Sequence, residues 1–397
     1  MIAASASELT AFISNDGYWN CICLNLDLQA GKSEVIAIDA VELRDKEKDD
    51  DIRIVVALAV AQKIDTDSDF SGIAYSLQFY GHDKPAQHYL EQTLANIGNS
   101  SQIIQLNSAP MHLIHTSIQH NGESKQAFFL SSVDGIIHVY IQNQKTKQFE
   151  EITTHHQFPL LQKISENRIN ILFMNFFKQS NGNQIICAGG QQGELFLAFY
   201  DSDGNETKYH SIRTFNPITS VLIFQPRVTK LDNNGEICLL VTSAIEQASV
   251  YRSIQTVGFS QNRILPQSTL YDSVLCSHAM DVDWDGEREI MIGTYGRQVL
   301  IYKQVAGTQD YNVLWRRQFA YPIYRMTHFD LNCDGLDELL VTTMYGVHVF
   351  QPNMWKAKAR LLQVLQFMQS SKRQKLDLLL EWKKQKEMEK AIIFEST

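Results

Sequence analysis

Two acidic stretches in the last third of the chain contain the residues best suited to bind a metal ion. The first runs from Asp281 to Glu289 and the second from Asp330 to Glu338. Each places oxygen-bearing side chains at positions 1, 3, 5 and 9 around an Asp-Gly pair. Because Ca²⁺ prefers several hard oxygen ligands that converge from a tight loop, the spacing predicts two calcium sites. The predicted ligands are Asp281, Asp283, Asp285, Glu289, Asp330, Asn332, Asp334 and Glu338.

The same loops also fit an interpretation without metal. Asp and Asn side chains accept hydrogen bonds from nearby backbone amides, and such Asx-turns hold a hairpin without any ion. The second loop carries one formal charge fewer than the first, so its calcium affinity should be lower. An EF-hand is excluded because its twelfth position requires Glu, and Ile292 and Val341 stand there. The sequence therefore favours structural turns that need no cofactor, with calcium as the alternative.

Each acidic stretch begins a longer repeat. An apolar run, a Tyr-Gly pair and a second apolar run follow, over 290–302 and 339–350. A repeat of about 40 to 50 residues with several strands is typical of β-propellers. The sequence predicts an all-β fold, a seven-bladed β-propeller over 1–352, with its clearest repeats at 278–302 and 327–350. The other repeat units lie at 235–251, 183–199, 126–140, 54–79 and 9–24.

Three smaller expectations concern the N-terminal part. There is little room for an inner strand before Leu9, so the first blade would borrow a strand from the far end, or the chain begins late in the domain. Cys21 and Cys23 lie two positions apart on one strand face, which favours buried packing. The acidic run at 65–69 has Phe70 where a tight turn needs Gly, so we expect a loop between strands rather than a third site.

The composition changes near Asn353. Residues 356–390 contain ten Lys or Arg against four Asp or Glu, with neither Gly nor Pro, and their leucines recur at helical spacing. We expect a basic amphipathic helical tail over 353–397, as one long helix or two helices broken at Ser370-Ser371. Its apolar stripe would bind a partner, although a helix packed on the propeller or left in solvent fits as well. The predicted contact residues are Leu361, Leu365, Leu376, Leu380 and Trp382.

Several classes of function are disfavoured. The net charge of −9 argues against a nucleic-acid-binding protein. The chain has no apolar run near 18 residues, and Met1 to Glu8 does not resemble a secretory signal. The six cysteines show no disulfide framework, which favours the reducing cytosol. No cluster of catalytic residues can be assembled, so we expect a protein without enzymatic activity.

The residues around the acidic loops resemble a known family. Acidic repeats alone are similar to the wider FG-GAP group, which includes integrin α-chain propellers. The lead-in Tyr271-Asp-Ser-Val-Leu-Cys-Ser277 and the motifs Leu314-Trp-Arg316, His328-Phe-Asp330 and Gly346-Val-His348 narrow the resemblance to the kaptin family. The similarity is strong over 215–352, moderate over 100–214 and faint before that.

The kaptin resemblance implies a non-enzymatic scaffold or adaptor. Members are subunits of KICSTOR, which recruits the GATOR complex to lysosomes and lowers TOR signalling when amino acids or glucose are scarce. The implied partners are a very large scaffold subunit, a second FG-GAP propeller and a small helical subunit, and through them GATOR. The resemblance also implies an alternative, an adaptor of actin filaments in actin-rich protrusions. The implied location is the cytoplasm, with recruitment to the lysosomal surface or to such protrusions.

Overall fold

The computed structural model describes most of the chain in two compact units. One comprises residues 1–280 and 286–350, and the other comprises 281–285 with 351–397. The described residues are 2–5, 7–15, 18–26, 28–44, 52–64, 72–83, 97–99, 101–120, 123–152, 158–227 and 235–395. The predicted loop at 65–69 lies outside them.

The first unit is a β-propeller whose described strands form seven sheets, as the repeats predicted. We number the sheets blades 1 to 7 along the chain. Blades 1 to 3 contain β1 (Ile2–Ser5), β2 (Glu8–Asn15) and β3 (Tyr18–Leu24); β4 (Ser33–Arg44), β5 (Ile52–Ile64), β6 (Gly72–Asp83) and β7 (Ser101–Leu106); and β8 (Pro110–His120), β9 (Glu123–Ser132), β10 (Ile137–Gln142) and β11 (Phe149–Ile152).

Blades 4 to 7 repeat this antiparallel arrangement. They contain β12 (Ile171–Lys178), β13 (Gln184–Gly190), β14 (Glu194–Tyr200) and β15 (Glu206–Arg213); β16 (Ile218–Phe224), β17 (Cys238–Ser243), β18 (Ser249–Tyr251) and β19 (Asn262–Ile264); β20 (Val274–Met280), β21 (Glu289–Thr294), β22 (Gln298–Gln304) and β23 (Tyr311–Gln318); and β24 (Ile323–Phe329), β25 (Glu338–Thr343) and β26 (Gly346–Phe350). Two short helices, α1 (Pro159–Glu166) and α2 (Ile254–Val257), and a 3₁₀ turn (Ile97–Asn99) lie between strands.

The first strand of each blade is innermost, and the first strands of successive blades from β4 to β24 pack side by side. In blades 2 to 7 this strand also has a register shift near its start, for example between Val274 and Cys276 and between Ile323 and Arg325. Such bulges bend a strand and increase its twist. The repeat seen in the sequence is therefore also a repeat of backbone geometry.

The core lies between neighbouring blades. Between blades 5 and 6, for example, buried Leu240 and Val250 pack with Ile290 and Leu300. Because a propeller blade is covered on both faces, its middle strands are buried on both sides and consist mostly of apolar residues. That requirement explains why β17 and β21 are buried along their whole length, although antiparallel strands commonly alternate.

Two expectations for blade 1 are wrong. Residues Ile2–Ser5 form β1, which pairs antiparallel with β2 through Ile2 and Ala11, so an inner strand does precede Leu9. Four residues suffice for this strand because each of them pairs with a residue of β2 in a short antiparallel ladder. Cys21 and Cys23 are exposed, since β3 is the outer strand of a three-stranded blade.

The second unit is dominated by one helix, α3, from Met354 to Glu395. Asn353 begins it, because its Oδ1 accepts hydrogen bonds from the amides of Trp355 (3.1 Å) and Lys356 (3.2 Å). The helix continues through Ser370-Ser371, where the Ser370 hydroxyl donates to the Phe367 carbonyl (2.9 Å). The sequence allowed one helix or two, and the structure has one, about 60 Å long. Among the described residues, no helix has the length and apolar character to cross a membrane.

Candidate functional site

The loop after β20 brings three carboxylates together. Ligand oxygens of Asp281, Asp283 and Asp285 all lie within 4.8 Å of one another. Oxygens that bind one Ca²⁺ at about 2.4 Å lie up to twice that distance apart, so one ion could contact all three. The Asp281 Oδ1 atom also accepts a hydrogen bond from the Asp285 amide (3.2 Å). This donor set fits a hard cation, and these three side chains would hold it.

The loop after β24 has the same spacing but satisfies its oxygens from within. Asp330 accepts hydrogen bonds from the amides of Asp334 (3.1 Å) and Gly335 (2.8 Å). The Asn332 Oδ1 atom accepts from the Asp334 amide (3.0 Å), and the Asn332 amide group donates to Asp334 Oδ2 (2.9 Å). Asp334 Oδ1 in turn accepts from the Leu336 amide (2.9 Å). These bonds are the Asx-turns of the alternative interpretation.

Both loops adopt the same backbone at their fourth and sixth positions. Trp284 and Cys333 have φ of 58°, and Gly286 and Gly335 have φ of 87°. Glycine at the sixth position was expected, because it adopts positive φ without steric strain. The left-handed conformation of Trp284 and Cys333 was not predicted. Their common position in the two repeats was the signal that could have revealed it.

The Glu residues predicted to close the two metal shells have other partners. Glu289 is 1% exposed, and its Oε1 accepts a hydrogen bond from the Lys303 ammonium (2.8 Å). Glu338 is fully buried, and its Oε2 accepts from the Leu331 amide (2.8 Å). Both side chains therefore stabilise the base of a hairpin. Lys303 was not singled out from the sequence, although its place opposite Glu289 follows from the β21–β22 register.

Two histidines precede the acidic loops and meet across blades 6 and 7. His278 Nε2 and His328 Nδ1 are 2.6 Å apart, and the two rings are 4.8 Å apart at their centroids. Burial, together with the neighbouring His328, Arg325 and Arg288, lowers the pKa of His278 to about 3. Burial also lowers the pKa of His328, while Asp337 opposes that shift. Neutral imidazoles joined by one N–H···N hydrogen bond fit this contact.

The predicted partner-binding residues are all exposed on α3. Leu361, Leu365 and Leu376 expose 51 to 59% of their surface, and Leu380 and Trp382 expose 49 and 55%. Within the same unit, the Arg360 Nε donates to the Trp284 carbonyl (3.3 Å). This hydrogen bond joins the helix to the Asp281–Asp285 segment, a connection that helical periodicity alone could not predict.

The seven sheets and the long helix define the class as a seven-bladed β-propeller protein with a helical extension, a fold that by itself does not determine a function. The family model described as KICSTOR complex protein kaptin matches residues 30–362. Mouse KICSTOR complex protein kaptin is 32% identical over 295 residues, which cover 72% of this chain and 67% of the mouse protein. The chain belongs to the kaptin family.

Similar solved structures include BBS1N in complex with ARL6DN, from crystals soaked with lead or with mercury. Each match covers 87% of this chain and 96% of the other chain at 10% identity, with TM-scores of 0.43 and 0.42. A similarity at this level supports no functional inference.

Proposed function

We propose that this protein is a non-enzymatic scaffold subunit of a KICSTOR complex. In that role it helps to recruit GATOR to the lysosomal surface and lowers TOR signalling when amino acids or glucose are scarce. The observation that carries the proposal is the kaptin family match over 30–362. The implied partners are the very large scaffold subunit, the second FG-GAP propeller and the small helical subunit. Loss of the protein should leave TOR kinase activity high in starved cells. If starvation lowers TOR kinase activity equally in cells with and without the protein, this role is contradicted.

Helix α3 is the proposed contact with the large scaffold subunit. It exposes large apolar side chains between Met354 and Trp382, and exposed apolar surface of this extent is typical of interaction sites. Substituting Leu361, Leu365, Leu376, Leu380 and Trp382 with Ser should lower co-purification with that subunit. Replacing Gln363, Gln366 and Gln369 with Ala on the same helix is the matched control. Equal recovery of the subunit with both variants would exclude the helix contact.

Calcium at the Asp281 loop is a separate part of the proposal. Its support is the convergence of three carboxylates, which repel one another unless a cation or solvent screens them. Calorimetric titration with Ca²⁺ should give heat that Asp283→Asn abolishes and Asp330→Asn preserves. Absence of heat at millimolar Ca²⁺ would remove the site.

The alternative function is an adaptor that binds actin filaments in cell protrusions. The observation that favours it is the excess of ten Lys or Arg over four Asp or Glu in 356–390. Co-sedimentation with filaments should weaken as salt is raised, because an electrostatic contact of exposed charges is screened. Co-sedimentation that is absent at physiological salt would reject this function.

A further inference from the structure

The two ends of the propeller blades differ in what they expose. Neighbouring strands are antiparallel, so the loop between the second and third strands of a blade lies at the same end as the loop leading into the next blade. We call this end the loop face. In blades 5 to 7 it is built by residues 214–217, 244–248, 265–273, 295–297, 319–322 and 344–345.

Every one of these loops exposes a large apolar or aromatic side chain. Their exposed fractions run from 42% for Tyr321 to 95% for Phe215. The three tyrosines at the loop face of blades 6 and 7 alone expose roughly 320 Å² if each offers about 200 Å² in total. Patches beyond a few hundred Å² mark interaction sites, and one side of a standard interface buries about 800 Å². The residues are Phe215, Ile245, Leu270, Tyr295, Tyr321 and Tyr345.

Hydrogen bonds between loops hold this surface in place. The Ala244 amide donates to the Pro217 carbonyl (3.0 Å), and the Ser273 hydroxyl donates to the Ala244 carbonyl (2.7 Å). The Tyr295 amide donates to the Ser273 carbonyl (2.8 Å). Loops of blades 5 and 6 are thus connected in series, which reduces the entropy that a partner would have to remove on binding.

The rings of Tyr321 and Tyr345 meet edge to face at a centroid distance of 4.7 Å. Both phenol rings are exposed, so they offer a fixed aromatic surface in blade 7. Tyrosine supplies large contact area with few rotatable bonds and is enriched where proteins bind one another.

Three arginines lie at the same end of blade 6. Arg297 stands just before β22, and Arg316 and Arg317 are close to the end of β23. The Arg316 guanidinium lies 5.4 Å from the Tyr271 ring centroid and bonds to its hydroxyl, and Arg317 lies 4.7 Å from the Phe350 ring centroid. Among the described residues, no carboxylate forms an ion pair with any of the three.

We propose that the loop face of blades 6 and 7 docks an acidic segment of a partner protein that also carries apolar side chains. Aromatic rings pack against the guanidinium groups of Arg316 and Arg317. A guanidinium can form two parallel hydrogen bonds with one carboxylate, so these groups suit an acidic ligand. Of the loops in these two blades, only the one entering blade 6 supplies an acid, Asp272, whose Oδ1 accepts from the Ser273 amide (2.7 Å). The loop face of blades 6 and 7 therefore exposes arginines together with apolar and tyrosine side chains.

A peptide suits this surface better than an anionic membrane. The whole chain carries a net charge of −9, and a membrane would meet a wide area of that charge. A short segment contacts only groups within about one Debye length, roughly 10 Å, of the arginines. This docking site does not depend on α3, on calcium or on KICSTOR membership.

Fluorescence anisotropy of the full chain with labelled peptides tests the proposal. The probe is a Glu-rich peptide with interspersed Phe and Leu, compared with one in which Lys replaces Glu and one in which Ser replaces Phe and Leu. The first should bind, and both comparison peptides should bind at least about tenfold more weakly. The double variant Arg297→Glu with Arg317→Glu should bind the Glu-rich peptide about tenfold or more weakly than wild type. The single variant Tyr345→Ala should weaken binding of this peptide by a similar factor.

The matched control is the pair Lys145→Glu and Lys147→Glu, which gives an equal charge change at exposed positions of the β10–β11 turn. It should leave the affinity unchanged, and all variants must retain the wild-type circular dichroism and melting temperature. The proposal fails if the acidic peptide does not bind, if the Lys peptide binds equally, or if the loop-face variants bind like wild type.

Two other occupants would also overturn it. Sedimentation velocity would reveal a second copy of this chain as a dimer that Tyr345→Ala dissociates. Flotation with phosphatidylserine vesicles would reveal a membrane surface if the loop-face variants lose vesicle binding while no acidic peptide binds.

Discussion

The loop after β20 and the loop after β24 share their residue spacing and place their fourth and sixth residues at the same positive φ. They differ in how their charges are balanced. In the second loop, the Asn332 amide group donates to Asp334, so one carboxylate has a hydrogen-bond donor within the turn. In the first loop, Asp283 has no such donor to offer at the corresponding position, and three carboxylates converge.

The buried Glu at the ninth position differs in the same way. Glu289 has a lysine ammonium beside it, whereas Glu338 accepts a backbone amide of its own loop. The first repeat therefore pairs its buried Glu with a lysine ammonium, and the second pairs it with a backbone amide. A sequence pattern that predicts the shape of a loop does not by itself predict a metal site, because the third residue and the partner of the ninth residue alter the charge balance.

The largest expected difference is at Lys303. Lys303→Met should lower the free energy of unfolding by about 2 to 3 kcal/mol, because it removes the ammonium from a buried carboxylate. The partial exposure of Lys303, 27%, keeps the effect below that of a fully buried pair. Urea denaturation measures it. Adding Glu289→Gln should recover more than half of the loss, and a double variant as unstable as the sum of both singles would contradict the pairing.

The histidines before the two loops predict a dependence on pH. The folded pKa of His278 is about 3, below its ordinary value of 6.5, so between these values the unfolded state binds more protons. The contribution of His278 to the free energy of unfolding should be complete above pH 6.5. It should decline as the pH falls, by up to about 2 kcal/mol at pH 5. Urea midpoints of wild type and His278→Asn across this range test the prediction. A variant with the same slope as wild type would show that His278 does not titrate in this way.

Glu338 should matter through its hydrogen bond rather than through its charge. Glu338→Ala leaves the Leu331 amide without its acceptor and should destabilise the protein by about 1.5 kcal/mol. Glu338→Gln keeps an acceptor oxygen, so its effect should stay below about 0.5 kcal/mol. Thermal unfolding compares the two variants. Equal losses would mean that the negative charge is what the loop requires.

The smallest effect should be the same in both loops. Gly286→Ala and Gly335→Ala meet no atom within 4 Å of the added Cβ, so only the positive φ opposes them. Each should reduce stability by about 1 kcal/mol. Gly346→Ala is the control, because its surroundings are equally open and its φ is not positive. Denaturation curves measure the loss of stability in each variant. If Gly346→Ala loses as much stability as the two loop variants, backbone strain at positive φ is not the cause.

Much of the fold was predictable from local patterns. Apolar runs separated by Gly and Asp turns gave seven blades, and helical spacing gave α3. The strand at Ile2–Ser5 was missed because a four-residue ladder has too few residues to show a period. Continuity of α3 through Ser370 was left open, because a serine that bonds back to a carbonyl is compatible with a helix or with its end.

The site was predictable only in part. Spacing placed the acidic side chains in the two loops, but the metal prediction for all eight residues remains a proposal. The contact between His278 and His328, 50 residues apart, could not be predicted, since it arises only when two inner strands pack side by side. The arginine and tyrosine surface of blades 6 and 7 has the same origin.

By itself, the sequence determined the repeat, the strand and turn positions within each blade, and the family. Those features follow from periods of a few residues and from glycine at positions of positive φ. Only the tertiary structure decided which side chains meet. A propeller places equivalent positions of successive repeats next to one another, so contacts such as that between His278 and His328 depend on how neighbouring blades pack and not on distance along the chain.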